Sequence, residues 1–243
     1  MLRTVNPAGN GEFMLAAKAD GRNEKLKVIA CATVIEEMLP YLADDTDYDV
    51  LDFGLHLKPS ELRQVLQEKI DTISKDADVV LLGYGLCAMA VVGLKAPKAT
   101  LVIPRMDDCI ALFLGSSEEY KNQVQKAPGT YYLTKGWIEV GDSPFEEHKK
   151  LVEKYGEEKA AQMTHMLLKN YTRLAFINTG DLNLAYYQNY SKKTARKFDL
   201  RYEEIEGSPS LVKKMINGPW DEDFVIVQPG HTLMYEDFIN SKS

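Results

Sequence analysis

Three short apolar runs in this chain each end at or shortly before a cysteine, and the chain holds no fourth cysteine. Leu26-Lys27-Val28-Ile29-Ala30 leads directly into Cys31. Val79-Val80-Leu81-Leu82 reaches Cys87 through Gly83-Tyr84-Gly85-Leu86, and Leu101-Val102-Ile103 reaches Cys109 through Pro104-Arg105-Met106-Asp107-Asp108. Runs this short and this apolar read as strands covered on both faces, the pattern of a parallel sheet. If the three strands are neighbours in one sheet, all three sulfurs arrive at its carboxyl edge, where open α/β sheets place their ligands.

The rest of the chain supplies the alternation such a sheet needs. After the strand at 26–31, Thr33 reads as the N-cap of a helix carrying Val34, Ile35, Met38 and Leu39, which Pro40 ends. A strand at 48–53 and a helix opened by Ser60, with Leu62, Val65, Leu66, Ile70 and Ile73 at helical spacing, precede the strands at 78–82 and 100–103. A short helix over 110–115 stops at Gly115, and Ser116 or Ser117 starts the next. The stretch 127–140 reads as a strand and an irregular loop passing between lobes, followed by helical sequence over 144–169 with a break near Gly156. Strands at 173–178, 202–205 and 224–227 then alternate with helices at 182–198 and 208–216. The expectation is an α/β protein of two Rossmann-like three-layer lobes with mainly parallel sheets: a flexible leader at 1–25, an N-terminal lobe with the cysteines at 26–126, and a connecting segment and C-terminal lobe at 127–243.

Composition narrows the function. A net charge of −7 with no extended basic run argues against a nucleic-acid partner or an anionic membrane surface, and no apolar run reaches the length needed to span a bilayer. An odd number of cysteines without an export signal argues against a disulfide framework and for a reducing cytoplasm.

Thiolates are soft ligands that select zinc, copper(I) or iron–sulfur clusters, and three of them leave one coordination position open. Cys31, Cys87 and Cys109 are therefore the candidate metal ligands, for a 4Fe-4S cluster with one open iron or for a zinc ion that activates a substrate thiol. There is no CxxC pair, so only the fold can assemble such a site, and three packed apolar thiols are the plainer alternative. Gly83, Tyr84 and Gly85 form a turn that lets the backbone approach a cofactor, although the third glycine of a dinucleotide fingerprint is missing. Arg105 is placed to hold a substrate carboxylate or phosphate, Asp108 to act as acid or base or as a helix N-cap, and Cys109 to gain acidity if it lies in a first helical turn. His56 and His231 each follow a strand and are candidates for a fourth ligand or an acid/base, whereas His148 and His165 read as surface or packing residues, and Tyr131, Tyr132 and Trp137 as packing aromatics with a pocket mouth as the alternative. Serine-hydrolase, P-loop and zincin motifs are missing.

The motifs Gly83-Tyr84-Gly85-Leu86-Cys87, Ile103-Pro104-Arg105 with Asp108-Cys109-Ile110, Leu114-Gly115-Ser116, and Pro128-Gly129-Thr130-Tyr131-Tyr132 with Gly136-Trp137 resemble the domain of unknown function 1638 family. The resemblance runs over nearly the whole chain after the leader. It implies an anaerobe's protein encoded near corrinoid-dependent methyltransferases, and so a place in one-carbon or methyl-group metabolism, with no role assigned to any cysteine. The reading is a metal-dependent protein, a lyase or transferase acting on a small anionic substrate. The alternatives are a zinc-thiolate methyltransferase component and a non-catalytic accessory that binds a corrinoid or a corrinoid protein.

Overall fold

The computed structural model describes residues 25–141, 143–180 and 184–239. The expected leader lies outside the described residues except for Lys25, which is already part of the fold: its amide donates to the Asp78 carboxylate and its carbonyl accepts from the Asp78 amide. Eight strands occur among the described residues: β1 (Leu26–Cys31), β2 (Asp47–Leu51), β3 (Val79–Gly83), β4 (Thr100–Pro104), β5 (Thr130–Leu133), β6 (Arg173–Asn178), β7 (Arg201–Glu206) and β8 (Phe224–Val227). They form two sheets, ordered β2-β1-β3-β4-β8 and β5-β6-β7. Every pairing is parallel except β4 with β8. With helices flanking the sheets, the architecture is Rossmann-like α/β. No helix among the described residues is long and apolar enough to cross a membrane.

The chain divides into two compact units, breaking after Cys109 and again after Pro209. The sequence reading puts the second lobe at 127–243, but β8 belongs to the first sheet, paired antiparallel with β4 so that Phe224 lies opposite Pro104 and Val227 opposite Leu101. An apolar run carries no mark of its direction or partner, and β8 fits either lobe on sequence alone.

In the first unit, β3 and β4 are buried at every position, which their unbroken apolar composition requires of central parallel strands. The helix Ala32–Met38 buries Val34, Ile35 and Met38, and the helix Pro59–Ile73 buries Leu62, Leu66, Ile70 and Ile73, a stripe at near-helical period. Cys31, not Thr33, is the N-cap of the former helix. Between Gly83 and Thr100 the crossover from β3 to β4 contains no helix, an unusual connection for parallel neighbours.

The second unit packs Leu133, Phe145, Leu168, Leu174, Phe176, Ala195 and Leu200 into its core. The stretch expected to be an irregular loop is a helix, Lys135–Val140, with the Thr134 hydroxyl accepting from the Trp137 amide. Helices Pro144–Tyr155 and Glu157–Leu168 meet at Gly156, whose φ of 80° only glycine adopts readily. Tyr131 and Trp137 pack on Phe145, Tyr171 and Phe113, and His148 is buried against the Thr164 hydroxyl, so these residues are structural as read, while His165 is exposed. Arg173 is fully buried in β6, where its guanidinium donates to Thr130, Glu203 and Gln123.

Candidate functional site

The order β2-β1-β3-β4 reverses direction between β1 and β3, and such a reversal opens a crevice at the carboxyl ends of the strands. Cys31 is the last residue of β1, and Cys87 lies just beyond β3. Cys109 follows β4, the next strand along, so all three cysteines leave the same edge of one sheet. Two backbone hydrogen bonds hold their loops together past the strand ends: the Leu86 amide donates to the Met106 carbonyl and the Cys87 amide to the Asp107 carbonyl, each at 2.9 Å.

The glycines in this loop, read from sequence as a turn that lets the backbone approach a cofactor, each allow a close approach between neighbouring segments. A β-carbon on Gly83 would fall 2.7 Å from Ala30 Cβ and 2.9 Å from Val34 Cγ1, and one on Gly85 would fall 2.6 Å from the Met106 carbonyl oxygen. Gly83 thus lets β3 lie against β1, and Gly85 lets the Cys87 loop close onto the Cys109 loop. Tyr84 sits between these two close approaches. The β1–β3 register pairs Ala30 with Gly83, so its continuation by one residue sets Tyr84 abreast of Cys31. Tyr84 is 4% exposed, and its buried hydroxyl has no hydrogen-bond partner.

Cys87, Ala88 and Met89 all have positive φ, 44°, 53° and 70°, a left-handed turn made of three residues that each carry a side chain. Such a conformation costs roughly 1–2 kcal/mol per residue and persists where the surroundings impose it. Here the Arg63 guanidinium donates to the Met89 carbonyl, Gln67 bonds both the amide and the carbonyl of Lys95, and Gly93 and Leu94 exchange backbone hydrogen bonds with Leu233. Ala90 and Val91, immediately after the turn, are fully buried. No glycine or asparagine marks this turn in the sequence, so it is not legible there.

Burial pushes the Cys31 thiol up, partly offset by the Thr33 hydroxyl 3.3 Å from its sulfur. Burial also pushes Cys87 up to about 12, with further contributions from Cys31 and Asp108, and raises Cys109 well above an ordinary thiol, with Cys31, Cys87 and Asp108 adding to the effect. The Tyr84 phenol is raised by burial and then by all three cysteines. Each thiol therefore lies within electrostatic reach of the others and of Tyr84, and none of the largest influences on them is a cation. Cys109 precedes the helix Ile110–Leu114 and does not gain the acidity that a first-turn position would give. Among the described residues, no group of three or more His, Cys, Asp or Glu side chains is arranged to hold a single metal ion.

The structure engages the other candidates differently. Arg105 donates from Nε to the Glu222 carbonyl at 2.8 Å, from Nη2 to the Phe224 carbonyl at 3.2 Å and from Nη1 to the Asp237 carbonyl, which makes it a fastener for the C-terminal segment and not an open substrate clamp. His56 follows β2 in a 3-10 turn, with Nδ1 on the Phe53 carbonyl and its ring 4.4 Å from that of Phe53. His231 follows β8, and because β8 runs antiparallel it emerges at the edge of the sheet opposite the cysteines. Asp108 alone among the predicted acids and bases acts on the thiols.

Residues 50–216 match a family model described as Protein of unknown function (DUF1638), and neither a curated protein nor a solved structure matches the chain. The matched stretch is narrower than the resemblance read from sequence, taking in Cys87, Cys109 and their joined loops but leaving β1 with Cys31, and β8, outside it. It still spans more than half of the 243 residues, and the chain therefore belongs to the DUF1638 family.

Proposed function

We propose that Cys31, Cys87 and Cys109 together hold an iron–sulfur cluster of four irons, one of them without a protein thiolate, and that the protein acts there on a small anionic substrate. The observation that carries this reading is the gathering of three thiols, from three neighbouring strand ends, within electrostatic reach of one another, Cys31 buried and Cys87 and Cys109 half-buried, with no cation among their main influences. Thiols so placed stay protonated in the metal-free protein, which argues against a nucleophilic cysteine. A metal centre supplies the missing positive charge and takes the thiols as thiolates.

The donor set of three soft thiolates fits a four-iron cluster with one iron open; among the described residues no group of three or more His, Cys, Asp or Glu side chains is arranged to hold a single metal ion. An iron left open in such a cluster supplies a Lewis acid. The chain's own residues tie the Cys87 and Cys109 loops together, partly shield the sulfurs from water, and offer the Asp108 carboxylate, which acts on Cys87 and Cys109, as a proton carrier. Arg105 is held by three carbonyls and His56 by the carbonyl and ring of Phe53, so this reading gives neither a catalytic step. The tie to corrinoid-linked methyl metabolism rests on the family resemblance, the lyase or transferase class on the proposed cluster, and the cytoplasmic setting on the odd cysteine count.

Anaerobic reconstitution with iron and sulfide tests the reading. The wild type is expected to take up both and to show broad visible absorption, and Cys31→Ala, Cys87→Ala and Cys109→Ala are each expected to lose the cluster. Stoichiometric zinc without sulfide would replace the cluster with the zinc-thiolate alternative. Full metal retention in any one variant would remove that cysteine from the ligand set. A metal-free wild type would leave three packed thiols and the accessory-protein reading.

A further inference from the structure

We propose that the Tyr84 hydroxyl is a hydrogen-bond donor to a sulfur of the centre that Cys31, Cys87 and Cys109 hold, and so a positioning residue that tunes that centre. The inference rests on the metal-centre reading and deepens it. A buried tyrosine hydroxyl ordinarily finds a partner, because leaving one without costs about 1–3 kcal/mol. This hydroxyl is buried and has none.

The geometry says what kind of partner is missing. Tyr84 stands between Gly83, packed on Ala30 beside Cys31, and Gly85, packed on Met106 in the loop that leads to Cys109. Three residues further on, the chain turns left-handed at Cys87. Tyr84 is thus flanked by two close backbone approaches, one to the strand that ends at Cys31 and one to the loop that leads to Cys109. An ordinary phenol keeps its proton at neutral pH, so the hydroxyl acts as a donor. A thiolate or sulfide sulfur of the loaded centre is an acceptor such a donor takes well. Hydrogen bonds to the sulfurs are among the factors that set the potential of an iron–sulfur cluster, because a donor stabilises the more negative, reduced state.

The test is Tyr84→Phe, which keeps the ring and removes the hydroxyl. Wild type and variant are reconstituted anaerobically with iron and sulfide, their iron and sulfide contents measured, and their midpoint potentials read by titration followed by electron paramagnetic resonance. Equal loading with a more negative potential in the variant is the expected result. A second measurement separates tuning from a structural role: the metal-free variant should resist urea at least as well as the metal-free wild type, since no bond is lost there. Equal loading with an unchanged potential and resonance signal would overturn the inference while leaving the three-thiolate reading intact. So would a Tyr84→Phe protein as destabilised without metal as with it. A wild type that takes up no cluster would overturn the metal-centre reading itself, and this inference with it.

Discussion

Replacing Ala88 by glycine tests the left-handed turn at the candidate site. In a helix or an extended segment this exchange destabilises a protein, because glycine has more freedom to lose on folding, about 0.4–1 kcal/mol. Ala88 has φ 53°, where a side-chain-bearing residue is roughly 1–2 kcal/mol worse off than glycine, and its methyl group is exposed, so little burial is lost. The difference leaves Ala88→Gly more stable by about 0.5–1 kcal/mol. Ala88→Val moves the other way, because a branched β-carbon fits positive φ worse than a methyl group does. The chain has two tryptophans, Trp137 in one unit and Trp220 in the other. Trp220 is buried and donates to the Met215 carbonyl. In a Trp137→Phe background its fluorescence reports the unit that carries the cysteines. Urea unfolding under reducing conditions should place the Ala88→Gly midpoint higher by about 0.3–0.5 M, for a slope of about 2 kcal/mol/M. A drop of about 1 kcal/mol, as at an ordinary alanine, would refute a left-handed conformation at this position.

Gly85→Ala should destabilise the same unit by about 1–3 kcal/mol and impair cluster assembly, because the new methyl group collides with the Met106 carbonyl and cannot be accommodated by a rotamer change; unimpaired stability and loading would show that the two loops can separate freely. In the second unit, the Glu203 carboxyl is held below the usual carboxylate range by hydrogen bonds from Lys126 and Arg173. Its folded value is the lower one, so its stabilisation is complete above the unfolded value near about 4.3 and is lost as pH falls through the folded value. Glu203→Gln should therefore lower stability at neutral pH, leaving the buried Arg173 guanidinium without its carboxylate, and should flatten the loss of stability seen on acidification. An unchanged acid limb, followed through Trp137 fluorescence, would count against that pairing.

Much of the fold is legible in the chain because burial on both faces leaves a plain mark. The strands β6 and β8 coincide with the expected bounds, and the break at Gly156 and the cap at Ser116 stand where glycine and serine chemistry put them. Direction is what an apolar run does not encode. β8 turned out antiparallel, which carried His231 to the far edge and moved the last of the described strands into the first sheet. Trp137 and its neighbours read as loop because Gly136 breaks the pattern, yet a threonine cap and a left-handed Gly141 close a short helix there. At the candidate site, the convergence of Cys31, Cys87 and Cys109 on one edge followed from their place after parallel strands. The purpose of Gly83 and Gly85 did not, since a glycine needed for close packing and one needed for a turn look alike in sequence. Nor did the fate of Arg105, whose carbonyl partners lie more than a hundred residues away.

The most direct test of the central claim is the iron and acid-labile sulfide content per chain of anaerobically reconstituted wild type beside Cys31→Ala. Cys31 lies outside the family match and 56 residues before Cys87, so only the folded sheet can enlist it. About four irons and four sulfides per wild-type chain, with both lost in the variant, is the expected result. Equal iron and sulfide in the two proteins, or none in either, would contradict a centre shared by the three strand ends.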